Sequence, residues 1–344
     1  MKPLSIAFVA NTKNPRLFRS DPAFIYRCEN LALALHDAGH HVELLHISKL
    51  NCTKPYDIIV LHRPKQQLFL AWRLAWLKRR GCRIIADFDD LVFLPEFANV
   101  SPGVVNGVVS LAQTQKNFAT HQKALRYCDA FTVSVNPLQE KLQHLMPHKP
   151  ILCLPNAVHQ SWYAVPEAPD RTAVKRLTYF PGTRSHDKDF ATIQPVLEQL
   201  LHEEPDLQLH ITGVLNATIT CRNSQLVRHP KQPFAGYAHH VAKSWLNLAP
   251  LELTEFNQHK SALKTIEAAW FNAPTLATPI PDMQRLQNAG ALLMHNSDNW
   301  YHTVKQLLDQ QHYAQTSRQL RQRIEQQGTI SEFARHFLEF TQTL

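Results

Sequence analysis

The sequence predicts an α/β protein made of two facing, doubly wound domains with a cleft between them. Three observations carry this expectation. Short apolar, β-branched runs alternate with longer helical patterns almost from end to end. The alternation starts afresh after a proline-containing junction, ILCLPNAV then WYAVPEAPDR. The 344 residues also exceed the usual length of one domain. Strand–helix alternation implies parallel sheets with right-handed crossovers. Ligands of such sheets sit at the carboxyl ends of the strands, so two units face one another across a binding cleft.

In the first unit, residues 1–160, LSIAFVA, HVELLHI, DIIVLHR, CRIIADF and AFTVSV read as strands buried on both faces. Between the first two lies a helical stretch, YRCENLALALHDAG, in which Leu31, Leu35 and Ala38 recur at helical spacing before Gly39 ends it. In the second unit, residues 161–344, RLTYFPG, LQLHITG, LVRHP, LNLAPL and PTLATP read as strands. A helix is expected over about 190–204 and another over TIEAAWFNA. From about 299 onward the chain is helical and rich in Gln and Arg, and its closing segment SEFARHFLEFTQTL is suited to cross back to the first domain.

With 44% hydrophobic and 19% charged residues, the chain has ample apolar material for a globular core. It has no apolar run of about 20 residues and no room for a signal sequence before its first strand, so a cytoplasmic protein is expected. Its six cysteines form no CxxC pair and its 20 histidines no HExxH motif, which points to free thiols and no bound metal. The net charge of +8 calls for an anionic partner. No basic run is interleaved with aromatics, so phosphate-bearing substrates or an acidic membrane surface fit better than nucleic acid. No cofactor is expected.

Two cationic segments of the second unit carry the chemistry. TYFPGTRSHDKDF places Gly182, Thr183, Arg184, His186 and Lys188 at a strand-to-helix turn, where N–H groups and the positive helix end meet an anion. Further on, Lys260, Lys264 and Glu267 lie four and three residues apart, on one helical face, with Ser261 as a cap or anion donor. Lysines in a first turn oppose the helix dipole, a conflict that a bound phosphate would relieve. In the first unit, Asp87, Asp89 and Asp90 crowd the end of a strand, where mutual repulsion would raise one pKa toward that of a general base. Arg16, Arg19 and Arg27 follow the first strand and suit an anionic acceptor. In LFLAWRLAWLKRR, Phe69, Trp72 and Trp76 form one stripe, Leu70, Leu74 and Leu77 a second, and Lys78, Arg79 and Arg80 close the segment. This apolar arc is wider than one sheet contact needs, which leaves part of it for an acidic membrane surface.

These segments together resemble the retaining glycosyltransferases of family 4, in particular bacterial enzymes of capsule, O-antigen and lipopolysaccharide assembly. The resemblance covers most of the chain and is most specific in NQHKSALKTIEAAWFNAPTLAT. It implies the GT-B architecture, a nucleotide-sugar donor in the second domain and a glycan or lipid-linked acceptor in the first, at the inner face of a membrane. It also implies that Arg184 and Lys188 face the donor diphosphate and that Glu267 binds the ribose. Where many members place a sugar-binding glutamate, this chain has His259, and Lys260 and Ser261 stand in the family's glycine-rich turn. That departure leaves the donor sugar and the retaining outcome open. Arg184, Lys264, Asp89 and Asp90 are the expected catalytic groups, and Arg16, Arg19, Arg27 and Asp87 the expected acceptor contacts. Asp87-Phe88-Asp89 also matches the metal-binding DxD of single-domain transferases, but the full second α/β domain favours metal-independent transfer. A nucleotide-sugar epimerase and a non-catalytic, transferase-like subunit are the alternatives.

Overall fold

The computed structural model describes residues 2–182 and 184–344; Thr183, placed above at the anion-binding turn, lies outside the described residues. Two six-stranded parallel sheets organise the chain. The first comprises β1 (Ser5–Ala10), β2 (His41–His46), β3 (Ile58–His62), β4 (Arg83–Phe88), β5 (Ala130–Val133) and β6 (Ile151–Cys153), in the order β2-β1-β3-β4-β5-β6. The second comprises β7 (Arg176–Tyr179), β8 (Gln208–Thr212), β9 (Leu226–His229), β10 (Leu246–Ala249), β11 (Thr275–Ala277) and β12 (Ala291–Leu293), in the order β12-β11-β10-β7-β8-β9. The chain is thus an α/β protein of two Rossmann-like domains.

Helices cover both faces of the first sheet, so alternate residues of a strand enter different cores. Ile6 and Phe8 of β1 pack with Leu31 and Leu35, whereas Ala7 and Val9 face Leu74 and Phe118. The strand HVELLHI departs from the two-face burial expected of it: it is β2, with a single neighbour at the sheet edge, and its His41 is exposed. The helix expected over 190–204 is two helices, Asp187–Ala191 and Gln194–Glu203. Pro195 sits in the first turn of the second, where its missing N–H costs nothing.

The last helix, Ile330–Gln342, begins at a capping box between Thr329 and Glu332. It buries Phe333, Phe337 and Leu338 against Ile6, Phe8 and Leu35 of the first domain, with the rings of Phe8 and Phe337 6.3 Å apart. The chain therefore ends on the domain where it began.

Two local features aim residues into the cleft. Before the helix Asn30–Asp37, residues Ile25–Glu29 form a π-helical turn, a widening that frequently marks functional sites. It carries Tyr26 and Arg27. After β8, Gly213 has φ +133° and lies so close to Pro181 that an added Cβ would collide with that carbonyl oxygen. A side chain there would push the Pro181–Gly182 turn off the sheet.

Candidate active site

The first domain contributes the carboxyl ends of β3 and β4. Asp87 is fully buried, and its carboxylate accepts from Arg27 (Nη2 2.7 Å, Nε 3.2 Å) and from Thr132 Oγ1 at 2.7 Å. His62 Nδ1 lies 3.2 Å from its other side. Arg27 spends its remaining donors on the Leu154 carbonyl and Asn156 Oδ1. Arg27 and Asp87 are therefore a buried pair that closes the floor, not the acceptor contacts expected from the sequence. Nor does carboxylate crowding lift Asp87 or Asp89 above the usual range. Burial pushes the Asp87 carboxyl up, but the Arg27 guanidinium and the His62 contact outweigh it and hold it far below the usual range. Asp89 is likewise lowered: burial raises it, and Arg63 and His62 more than reverse that.

Arg63 was not singled out from the sequence. It follows β3 with φ +44°, uncommon for a side-chain-bearing residue, and its Nε donates to Asp89 Oδ1 at 2.6 Å. Its Nη2 lies 3.9 Å from Asp90 Oδ2. The strained backbone brings a cation between two carboxylates at the cleft surface.

The second domain faces this floor with the turn after β7 and the helix after β10. Asp189 ties the two together. Its Oδ2 contacts His186 Nδ1 at 2.9 Å, while its Oδ1 accepts from the Glu252 N–H at 2.8 Å and from Asn257. The helix Leu263–Trp270 starts two residues after Ser261, and Asp282 fixes its entry by accepting from the Ala262 N–H at 2.6 Å. Ser261 does not cap it; its Oγ accepts from Asn156 Nδ2 of the interdomain junction at 3.0 Å. Lys260 precedes the helix in extended conformation and so shares no helical face with Lys264 and Glu267.

Glu267, expected from the resemblance to bind the ribose, is buried. Its Oε1 accepts from Tyr26 Oη at 2.7 Å, across the domain interface. Its Oε2 accepts from Tyr237 Oη at 2.9 Å and from Lys264 Nζ at 3.2 Å, and Lys264 also donates to Tyr237 at 2.6 Å. The conflict between Lys264 and the helix dipole is thus met within the chain by a carboxylate one turn on. Burial, then the charge of Glu267, raises both tyrosine pKa values well above their ordinary range, so both phenols stay protonated donors.

Two cavities meet at Lys264. A cavity of about 500 Å³ is lined by Tyr26, Phe180, Gly182, Phe234, Tyr237 and Glu267, with Arg19 and Lys231 at its edge. The Tyr26 and Phe234 rings meet edge to face at 5.4 Å. The neighbouring cavity, about 300 Å³, is lined by Arg63, Asp89, Asp90, His186, Lys260 and Ser261. Gly182, Phe180, Leu263 and Lys264 belong to both.

Of the residues expected from sequence, the fold therefore gathers Asp89, Asp90, Gly182, His186, Lys260, Ser261, Lys264, Glu267 and Arg19 around one continuous space. Others stand apart. Arg184 and Lys188 are exposed and line neither cavity. Their turn is instead held by Asn106 of the first domain, which donates to the Ser185 carbonyl (2.9 Å) and accepts from the Lys188 N–H (3.0 Å). His259 is buried, its Nδ1 2.7 Å from the Glu255 carbonyl oxygen, and burial lowers its pKa. Arg16 is exposed and outside both cavities. Besides Arg63, sequence reasoning missed Tyr26, Tyr237, Phe180 and Phe234. Position alone could have flagged Arg63, the last residue of DIIVLHR and hence at a strand's carboxyl end.

No family model and no curated relative matches the sequence. Solved structures do share its fold. An alpha-glucosyltransferase in complex with UDP-glucose and DNA containing an abasic site is 10% identical with a TM-score of 0.66, over 99% of this chain and 100% of that one. S. aureus MnaA bound to UDP is 12% identical, TM-score 0.52, over 91% of each chain. A Listeria monocytogenes structure assigned as a UDP-N-acetylglucosamine 2-epimerase is 12% identical, TM-score 0.56, over 94% of this chain and 95% of that one. The chain has the two-domain GT-B architecture.

Proposed function

We propose that this protein is a glycosyltransferase that moves a sugar from a nucleoside diphosphate to a glycan or lipid-linked acceptor. The observation that carries the reading is the pair of joined cavities. One is aromatic with a carboxylate at its base, the other polar and walled by Asp89 and Asp90, and Lys264 stands at their junction. A nucleotide sugar suits that order of surfaces: nucleoside among Tyr26, Phe234 and Phe180, diphosphate over Lys264 and Gly182, sugar toward Arg63, Asp89 and Asp90. UDP and UDP-glucose in the structures of like fold support the class of donor.

In this reading the bond between the anomeric carbon and the diphosphate oxygen breaks while a bond to the acceptor oxygen forms. Negative charge grows on the departing diphosphate, where Lys264 and Lys260 stabilise it. The acceptor proton passes to a carboxylate of the first domain. Asp90 suits this better than Asp89, which Arg63 holds at 2.6 Å and whose pKa is lowered. The transfer is proposed to need no metal, because Asp87 and Asp89 of the DxD-like triplet are already neutralised by Arg27 and Arg63. Closure of the domains would keep water from the donor.

The test is product analysis with a panel of nucleotide sugars. Release of nucleoside diphosphate that accelerates with a glycan acceptor, and yields a glycosidic product, is the expected outcome. An isomerised donor with no free diphosphate would assign an epimerase instead. Binding without turnover of any donor would assign a non-catalytic subunit.

A further inference from the structure

The helix Leu70–Arg79 presents two unlike faces. Leu70, Leu74 and Leu77 are buried in the first domain's core. On the other side Leu68 (83% exposed), Phe69 (66%), Trp72 (65%) and Trp76 (41%) stand in water. The two indoles stack, 6.4 Å between centroids and 21° between planes. Single exposed apolar residues are ordinary, but a contiguous ridge with two tryptophans marks an interaction surface. The backbone is strained to hold it: Phe69 has φ +63°, a conformation uncommon and unfavourable for a bulky residue.

Charge selects the occupant. Arg79 lies seven residues after Trp72 and three after Trp76 and so ends the tryptophan face. Arg80 follows it past the helix, its Nη2 donating to the Thr53 carbonyl at 3.1 Å and its charge without an ion pair among the described residues. Lys78 is neutralised by Asp129 at 2.6 Å, but Arg79 has no ion pair among the described residues. Residues 68–80 contain no Asp or Glu. Amphipathic indoles flanked by unopposed arginines, with no acidic residue between, fit the headgroup boundary of an anionic bilayer. Among the described residues no helix is long and apolar enough to cross a membrane, so the contact is one of surface.

We propose that this ridge docks the first domain on an anionic membrane surface, with the indoles at the headgroup boundary and Arg79 and Arg80 on lipid phosphates. Leu68 follows Arg63 by only five residues, so docking sets the membrane beside the wall of the cleft. The docking does not rest on the transferase reading; only the delivery of a lipid-linked acceptor to Asp90 does.

The experiment is sedimentation of the full chain with vesicles of phosphatidylcholine alone or enriched in phosphatidylglycerol, with indole emission recorded in parallel. The wild type should pellet with the anionic vesicles, shift its emission to the blue and be released by salt. Trp72→Ser with Trp76→Ser, and separately Arg79→Glu with Arg80→Glu, should each weaken binding roughly tenfold or more at unchanged melting temperature. Wild-type protein that stays in the supernatant with both vesicles would overturn the proposal. So would binding that both double variants retain. Concentration-dependent self-association that the tryptophan variant abolishes, without vesicle binding, would assign the ridge to a second copy of the chain. Donor turnover is measured alongside, so loss of docking and loss of the transferase reading are separately visible.

Discussion

Substitutions at Tyr26 and Glu267 should both lower stability but act oppositely on ligand binding, and so separate two roles of one hydrogen bond. Tyr26 donates to Glu267 Oε1 across the domain interface at 2.7 Å. Tyr26→Phe deletes that donor and nothing else of the ring. A bond to a buried carboxylate contributes about 1.5–3 kcal/mol. The loss should lower the melting temperature by a few degrees. Glu267→Gln should cost at least as much. Its amide accepts from one tyrosine but confronts the other hydroxyl and Lys264 with a donor, and Lys264, about a third exposed, can turn to water. In binding the variants should diverge. The Tyr26 hydroxyl occupies one of the acceptor directions of Glu267 Oε1 and so competes there with ribose hydroxyls. Phe at position 26 removes that competitor and should tighten nucleoside diphosphate binding by up to about tenfold, the equivalent of 1.4 kcal/mol. Gln at position 267 should weaken binding by a similar factor. Melting curves without ligand, and calorimetric titration with UDP, GDP and ADP, measure both effects. Two variants that melt early but bind equally well would show that the network only joins the domains. Equal weakening by both would make Tyr26 a wall of the site rather than its competitor.

Three further outcomes follow from the same geometry. Lys264→Ala should lower kcat more than it raises the donor KM, since the lysine opposes charge that grows only in the transition state; steady-state kinetics with the preferred donor decide. Arg27→Met should destabilise the fold by about 3–5 kcal/mol, because it leaves the Asp87 carboxylate buried without its cation, while turnover per folded molecule stays normal. Unchanged stability with a raised acceptor KM would restore Arg27 as an acceptor contact. Burial lowers several histidines, among them His121 to about 3 and His159 and His210 to about 4. Between those values and the unfolded value of about 6.5 the unfolded chain binds more protons, so stability must fall with pH in that window. The melting temperature should therefore drop between pH 7 and pH 5, and a flat profile would contradict their burial as neutral rings.

Why some of this was legible in the sequence and some was not follows from the range of the interactions concerned. The strands were legible because a strand buried in a parallel sheet must be apolar throughout, and IAFV, IIVL and RIIADF announce that locally. Edge position is not local: β2 carries apolar Val42, Leu44 and Leu45 and reads as a strand, but nothing in HVELLH says that it has one partner strand. The helix Leu263–Trp270 was legible for the same local reason, and with it Lys264 and Glu267. What those residues touch was not. Tyr26 is 241 positions from Glu267, and no periodicity connects them. A lone tyrosine at the start of a helix looks like core, and here it is both core and donor. The carboxylate cluster failed for the complementary reason. Crowding was visible in the sequence, but Arg27 and Arg63, 60 and 26 residues away from their partners, were not visible as counter-charges. A carboxylate's pKa is set by the nearest charges in space, and chain neighbours give only its repulsions. The same logic explains Arg184 and Lys188. A strand-to-helix turn after β7 does present cations toward the cleft in sequence terms, yet Arg184 and Lys188 stand exposed outside both cavities, in a turn that Asn106 of the other domain binds through the Ser185 carbonyl and the Lys188 N–H. The cation at the junction of the cavities is Lys264, because Glu267 and Tyr237 hold its ammonium there. Position at the site is thus decided by contacts between residues far apart in the chain, which only the folded chain supplies.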